Sequence, residues 1–215
     1  MRYDAEHKER TRVRLLTEAA IMLREEGPHG LSVVTLMKRQ GLTHGGFYAH
    51  FDSKDDLIAR AIDVMFDRNC ERFLLRTRGL DGEAALTSYI TYYLSPAHVN
   101  KPGQGCPVPA IAMDVARLEP QARKRFEQGV SRLSTLVAKP FERLGERLGR
   151  TPEAAQTEAL TLLSELSGAV IMARGVKTPA MSRQICAAAY GAIMTRLGFT
   201  QVASAEDAEE ALSGE

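Results

Sequence analysis

Three cysteines in 215 residues, Cys70, Cys106 and Cys186, are too few and odd in number for a disulfide framework, which points to a reducing cytoplasm. No stretch approaches 18 consecutive apolar residues, so a membrane-spanning helix is not expected. The opening MRYDAEHKERTRVR carries charge but no apolar segment behind it, which excludes a secretory signal. Period-two alternation of useful length is missing, as is any internal repeat, so sheet and solenoid architectures fall away. Charge of one sign is also scarce, the formal net being only +1. That balance hides an asymmetry. Glu206, Asp207, Glu209, Glu210 and Glu215 place five acids, and no base, in the last dozen residues. Without them the 28 basic residues face 22 acids, a net of +6 for residues 1–203. Lys8, Arg10, Arg12 and Arg14 crowd the N-terminal arm. This is a local basic surface, and alone it does not specify a nucleic-acid partner.

What is present is helical periodicity. Apolar content of 44% and charged content of 26% are ordinary for a globular protein. Leu15, Leu16, Ala19, Ala20 and Leu23 share one face of a helix over 12–26, stopped by Gly27-Pro28. Ser32 is placed to cap a helix over 33–40, and Thr43 the next. DSKDDL reads as a helix start with acids in its first turn, opening a helix that runs towards Arg76. At 1.5 Å per residue that helix is a spacer of about 35 Å. Further helices are predicted over 82–94, over 107–117 with Pro107 in the first turn, and over 120–148 with a kink at Pro140. The last two cover 153–174 and 179–197, and HVNKPGQGCPVP is expected to be irregular. From Val202 the tail reads as disordered.

The segment SVVTLMKRQGLTHGGFYAHFDSKD, residues 32–55, carries the most information. A short apolar-periodic helix ends at Gly41, seven residues from Thr43 to Ala49 form a second, and a third begins at once. Two short helices joined by a tight glycine turn have the shape of a helix-turn-helix. Gly45-Gly46 cost helix stability and would let the backbone approach a duplex closely.

These residues resemble the DNA-binding domain of the TetR family of bacterial repressors. The likeness rests on Ser32-Val33, Leu36, Gly41-Leu42-Thr43, Gly45, Phe47-Tyr48, His50-Phe51 and Ser53-Lys54. It extends back through Arg14, Leu15, Ala19-Ala20, Leu23 and Gly27. Met37 and Gln40 depart from it, standing where small residues are common. The resemblance implies an all-α fold: an N-terminal three-helix helix-turn-helix domain (1–52), a C-terminal helical bundle for ligand binding and dimerisation (53–201), and the acidic tail (202–215). It implies that Thr43, Tyr48 and Lys54 hold phosphates and that His44, Gly45 and Gly46 lie nearest the base edges. Ser32, Thr35, Lys38 and His50 complete the expected DNA-binding set. Hydroxyls, a lysine and helix N-termini suit phosphate oxygens. Phe47, Phe51 and Leu42 are expected in the core.

His29, His44 and His50 lack the cysteine or acid that would complete a metal site, so no metal or other cofactor is expected. Cys106, just before Pro107 at a helix start, could be a thiolate steadied by the helix dipole; its plainer reading is a small residue closing a pocket. Cys70 and Cys186 read as packing residues. The expected effector pocket is lined by Met65, Phe66, Tyr89, Tyr92, Tyr93, Cys106, Ile111, Met113 and Met172, with Phe73 and Leu133 nearby. Such a lining suits an apolar or aromatic ligand. The resemblance also implies a homodimer through the last two helices, where Ser164, Ser167, Gly168, Ile171, Met172, Ala187, Ala188, Tyr190, Gly191 and Met194 supply small or apolar faces. The function so implied is a cytoplasmic regulator that reads a palindromic operator and is released from it by a small molecule. A helical enzyme using the same cavity lacks any convincing catalytic spacing; an architectural DNA binder without a ligand is the other alternative.

Overall fold

The structure, a computed structural model, describes residues 2–148 and 151–199. Among them are nine α-helices, two short 3₁₀ segments and no strand. The chain clusters into two compact units, each discontinuous in sequence. The first is Met1–Arg68 with Pro102–Val130, and the second comprises 69–101 with 131–215.

The first unit begins with α1 (Arg2–Gly30), longer at its N-terminus than the apolar pattern predicts. The Gly27-Pro28 stop is real but local: Gly27 breaks the helix with φ 70 and ψ 178, and a further turn follows. Leu15, Ala19, Ala20, Met22 and Leu23 are fully buried along one face of α1. α2 (Val33–Arg39) is capped by Ser32, whose Oγ accepts the Thr35 N–H at 3.2 Å. Its C-terminus closes through backbone alone. Gly41 takes φ 70, its N–H donates to Lys38 O at 3.1 Å, and the Leu42 N–H donates to Met37 O at 2.9 Å. This paired closure satisfies two end carbonyls and needs glycine at the left-handed position. It is the turn of the motif.

The next segment, His44–Ala49, is a 3₁₀ helix rather than the α-helix expected over Thr43–Ala49. Thr43 holds the N-cap position, but its side chain makes no capping bond. α3 (Lys54–Thr77) starts where Ser53 Oγ accepts the Asp56 N–H at 3.0 Å, and Asp56 in turn receives Arg60 Nε at 2.7 Å. The two residues that departed from the family pattern find work in the packing. Met37 is buried with its Cε beside Gly46, and Gln40 Oε1 accepts both Nε (3.2 Å) and an η nitrogen (3.1 Å) of Arg14. Arg39 reaches back to Glu18 at 2.9 Å, adding a second tie between α2 and α1.

In this unit the expected irregular stretch is replaced by regular structure at one place, and the helices that follow it are those expected. Pro102–Gln104 forms a 3₁₀ turn against α1, followed by α6 (Val108–Val115) and the start of α7 (Pro120–Leu148). Arg24, buried in α1, donates to Gly103 O at 2.9 Å and to Ala20 O at 3.0 Å. A Cβ on Gly103 would collide with Glu25, and one on Gly129 would enter the Phe66 ring. The Phe66 ring therefore fixes Gly129 by close approach, whereas at Gly103 the flexible end of Glu25 can move aside.

The second unit contains the remainder of α3 and α7, α4 (Gly82–Leu94), α5 (Pro96–Val99), α8 (Pro152–Gly175) and α9 (Pro179–Leu197). Asp81, Ser95 and Thr151 cap α4, α5 and α8. The helix α5 lies where an irregular stretch was expected, and α7 runs on through Pro140. α8 packs on α9, and α4 meets both. Leu162, Leu166, Val170, Tyr190, Ile193 and Met194 fill the space. Arg196 joins α9 to α8 through Glu165 at 2.7 Å and Glu158 at 2.6 Å. The tail from Val202 and the break at Gly149 lie outside the described residues.

Candidate nucleic-acid interface

The recognition segment is held from beneath. Phe47 and Phe51 are each 2% exposed, with ring centroids 5.5 Å apart, and Leu36 and Met37 close the floor. Leu42 is only half-buried, because it follows the glycine turn at the rim of this floor. Phe47 is the buried residue of the 3₁₀ segment, and Phe51 joins it four residues on, just beyond the segment's end. Thr43, His44, Gly45, Tyr48 and Ala49 are exposed, while Gly46 and His50 are half-buried. Tyr48 stands 67% clear of the protein, edge-on to Phe47 at 5.3 Å and to His44 at 6.4 Å. On α2, Thr35 and Lys38 are exposed; at the start of α3, Lys54 is half-buried. Ser32 already accepts one bond in its own cap, and its hydroxyl proton remains to be donated to a partner.

Gly45 and Gly46 are the informative pair. Neither has a positive φ. A Cβ on Gly45 would meet nothing within 4 Å, and one on Gly46 would make only ordinary contacts with Met37 and Thr43. Neither backbone conformation nor packing within the chain requires glycine here.

His50 closes the segment, its N–H donating to Phe47 O at 2.9 Å. Burial, reinforced by Lys8 and Arg12 of α1, holds its imidazole below the usual value near 6.5, with Glu9 opposing.

The predicted pocket residues divide between the units. Met65, Phe66, Cys106 and Ile111 are buried in the first, and Tyr89 and Tyr93 in the second. Tyr92 is half-buried; its hydroxyl accepts from Arg72 at 2.6 Å and its ring lies 4.1 Å from the Arg76 guanidinium carbon. Two assignments are corrected. Met113 is 71% exposed and Met172 61% exposed, so neither lines an interior of this chain. Each sits on the outer face of its helix, which apolar character alone did not reveal. Pro107, not Cys106, occupies the cap of α6, and Cys106 is sealed at 1% exposure. Burial raises the Cys186 thiol to about 11.

A cleft of about 380 Å³ in the second unit involves none of the predicted residues. Phe141, Leu144, Ala155, Leu197 and Phe199 line it, with Glu83 and Glu158. Phe199 reaches it because the turn at Gly198 folds the chain back, the Phe199 N–H donating to Met194 O at 3.0 Å. The Gly-Phe pair after the last apolar repeat was the available signal. Among the described residues no group of three or more His, Cys, Asp or Glu is arranged to hold a metal ion, and no helix is long and apolar enough to cross a membrane.

On α8 and α9 the exposed residues form a largely uncharged stripe. Leu160, Ser164, Gly168, Ile171 and Met172 lie along α8, with Met181, Ala188 and Ala192 on α9. Ser167, Ala187, Tyr190 and Met194, expected on this face, are buried within the chain instead. A Cβ on Gly168 or Gly191 would meet nothing.

Comparison with known proteins places these features in a family. Residues 15–61 match the model for bacterial regulatory proteins of the tetR family, and residues 84–188 the C-terminal domain of LmrA/YxaF-like transcriptional regulators. An uncharacterized HTH-type transcriptional regulator of Mycobacterium tuberculosis is 23% identical over 167 residues, covering 76% of this chain and 84% of that protein. A TetR transcriptional regulator from Chloroflexus aurantiacus superposes with a TM-score of 0.75 at 24% identity, covering 90% of this chain and 97% of that one. The reduced form of Escherichia coli NemR gives 0.72 at 19% identity, covering 86% and 95%. A helix-turn-helix closed by Gly41, an exposed recognition segment and a helical C-terminal region belong together in this way: the chain is a transcriptional regulator of the TetR family.

Proposed function

We propose that this regulator is a homodimeric repressor that reads a palindromic operator and leaves it when a small molecule binds. The observation that carries the DNA reading is the Gly45-Gly46 pair. Glycine there lowers the stability of the recognition segment and serves no purpose within the chain. Close approach of the backbone to a duplex gives it one. Thr43, Tyr48, Lys54, Thr35 and Lys38 surround the pair as phosphate ligands, with Ser32 and His50 beside them; His44 faces base edges. Residues 1–52 form the DNA-binding head and 53–201 the effector and dimerisation region. The enzyme reading has no observation in its favour.

The dimer reading rests on the uncharged stripe of α8 and α9, where two glycines again leave room that the chain does not use. Two heads must meet successive major grooves at a fixed separation, so an effector that changes their spacing lowers affinity. The buried ring cluster of Phe73, Tyr89, Tyr93 and His98, with centroids 4.6–5.6 Å apart between neighbours, suits an apolar or aromatic effector. Such a regulator works in the cytoplasm. The test is an anisotropy titration against DNA flanking its own gene, with random DNA as control at fixed salt. Discrimination of about a thousandfold or more supports sequence-specific regulation. Equal, weak binding to both the flanking and the random DNA, followed by no enrichment in a genome-wide selection, refutes it.

A further inference from the structure

The cleft of the second unit is built where helix ends meet. Glu83 stands in the first turn of α4, Phe141 and Leu144 near the end of α7, Glu158 early in α8, and Phe199 just beyond α9. Backbone geometry sets two of its walls. A Cβ on Gly82 would fall 2.7 Å from both Pro140 O and Leu144 Cγ, so α4 begins this close to α7 only with glycine there. Gly198, at φ 74, turns Phe199 back towards the bundle. Phe141 is 6% exposed and Phe199 7%, so both rings are packed into the wall. The space left, about 380 Å³, lies within the range of small-molecule sites, roughly 300–1,000 Å³.

The charged residues of this lining are both acids, Glu83 and Glu158. Glu158 accepts from Arg196 at 2.6 Å, but the same guanidinium also serves Glu165 at 2.7 Å, so one base faces two acids. Glu83 is exposed and has no ion pair among the described residues. The first N–H groups of α4 and α8 offer little to an anion, because Asp81 already accepts the Ala84 N–H at 2.9 Å and Thr151 the Ala154 N–H at 3.3 Å. Phenyl rings supply apolar contact and, over their faces, attraction for a cation. We propose that this cleft binds an organic cation, an amine carried on an apolar or aromatic body. The body displaces water from Phe141, Leu144 and Phe199, and the ammonium meets Glu83 at the rim. A neutral molecule of the same shape gains the first contact and not the second; an anion is repelled by both acids. The site shares no residue with the ring cluster assigned above to the effector, and it stands whether or not the chain binds DNA.

The experiment titrates the full chain calorimetrically, at neutral pH and low salt, with phenylbutylamine, phenylbutanol and phenylbutyrate. These share one body and differ in charge. The amine is expected to bind about fivefold or more tighter than the alcohol, and the acid most weakly. Glu83→Gln should shrink the preference for the amine. Glu153→Gln, an exposed acid in the first turn of α8 outside the lining, should keep it. Ala154→Phe fills the cleft and should abolish binding of all three. Equal binding of amine and alcohol, an undiminished preference in Glu83→Gln, or no binding of any probe overturns the proposal. Methyl-resonance mapping on the unaltered protein locates the ligand without relying on a variant. Shifts on adding the amine should gather at Leu144 and Leu197; shifts gathered instead at Ile90 and Leu94, on the helix that carries Tyr89 and Tyr93, overturn it.

Discussion

Replacing Gly45 with alanine separates folding from recognition. The substitution adds one methyl group to an exposed position with no positive φ and nothing within 4 Å of the new atom. In the free protein it restricts the unfolded chain without straining the folded one, a gain of about 0.4–1 kcal/mol. For a chain of this length that is a rise of roughly 1–4 °C in Tm. On DNA the same methyl has to fit between backbone and duplex. Overfilling a packed contact costs about 1–3 kcal/mol, or roughly five- to 150-fold in affinity per head. Gly41→Ala is the internal control. Its Cβ also meets nothing within 4 Å, but the residue has φ 70, so alanine there is strained and should lower Tm. The assays are a thermal melt and an anisotropy titration on the same preparations. Unchanged DNA affinity in a stabilised Gly45→Ala protein would refute the close-approach argument. A lowered Tm would refute the reading of the free structure.

Three further outcomes are expected. Tyr48→Ala and Lys54→Ala should weaken binding to all sequences alike, with Lys54→Ala reducing the salt slope by about one; a loss confined to the operator would reassign Lys54 to base reading. Met172→Lys places a charge in the uncharged stripe of α8 and should convert dimer to monomer in light scattering with the helical content intact, whereas an unchanged mass would move the interface elsewhere. Arg24→Met should leave Gly103 O without its buried donor and cost about 1–3 kcal/mol in thermal or urea unfolding, a loss that a solvent-exposed arginine would not produce.

Much of the first unit was legible because its signals are local. Ser32, Gly41 and Ser53 mark their helix ends through bonds made within a few residues, and the buried face of α1 follows the 3.6-residue period. The same holds for α4, α8 and α9, whose boundaries fall within a residue or so of expectation. The 3₁₀ winding of the recognition segment was not legible, since Thr43 has the right identity for a cap and the structure does not use it as one. The short α5 and the 3₁₀ turn at Pro102 were missed because proline and glycine read as loop, while Ser95 and the α1 surface hold them in regular turns. Met113 and Met172 were misplaced for a different reason. An apolar side chain on a helix announces a contact but not which side of the helix makes it, and only the surrounding helices decide that.

The backbone closure at Gly41 and Leu42 has an evolutionary consequence. Everything that orients the recognition segment faces inward or belongs to the main chain: the paired carbonyl bonds, Met37, Phe47 and Phe51. Nothing that points outward at 44, 45, 48 or 49 is needed to keep the segment where it is. Operator preference can thus drift by exchange at His44, the position proposed to face base edges, without a compensating change beneath it. The head behaves as a fixed handle carrying a replaceable key.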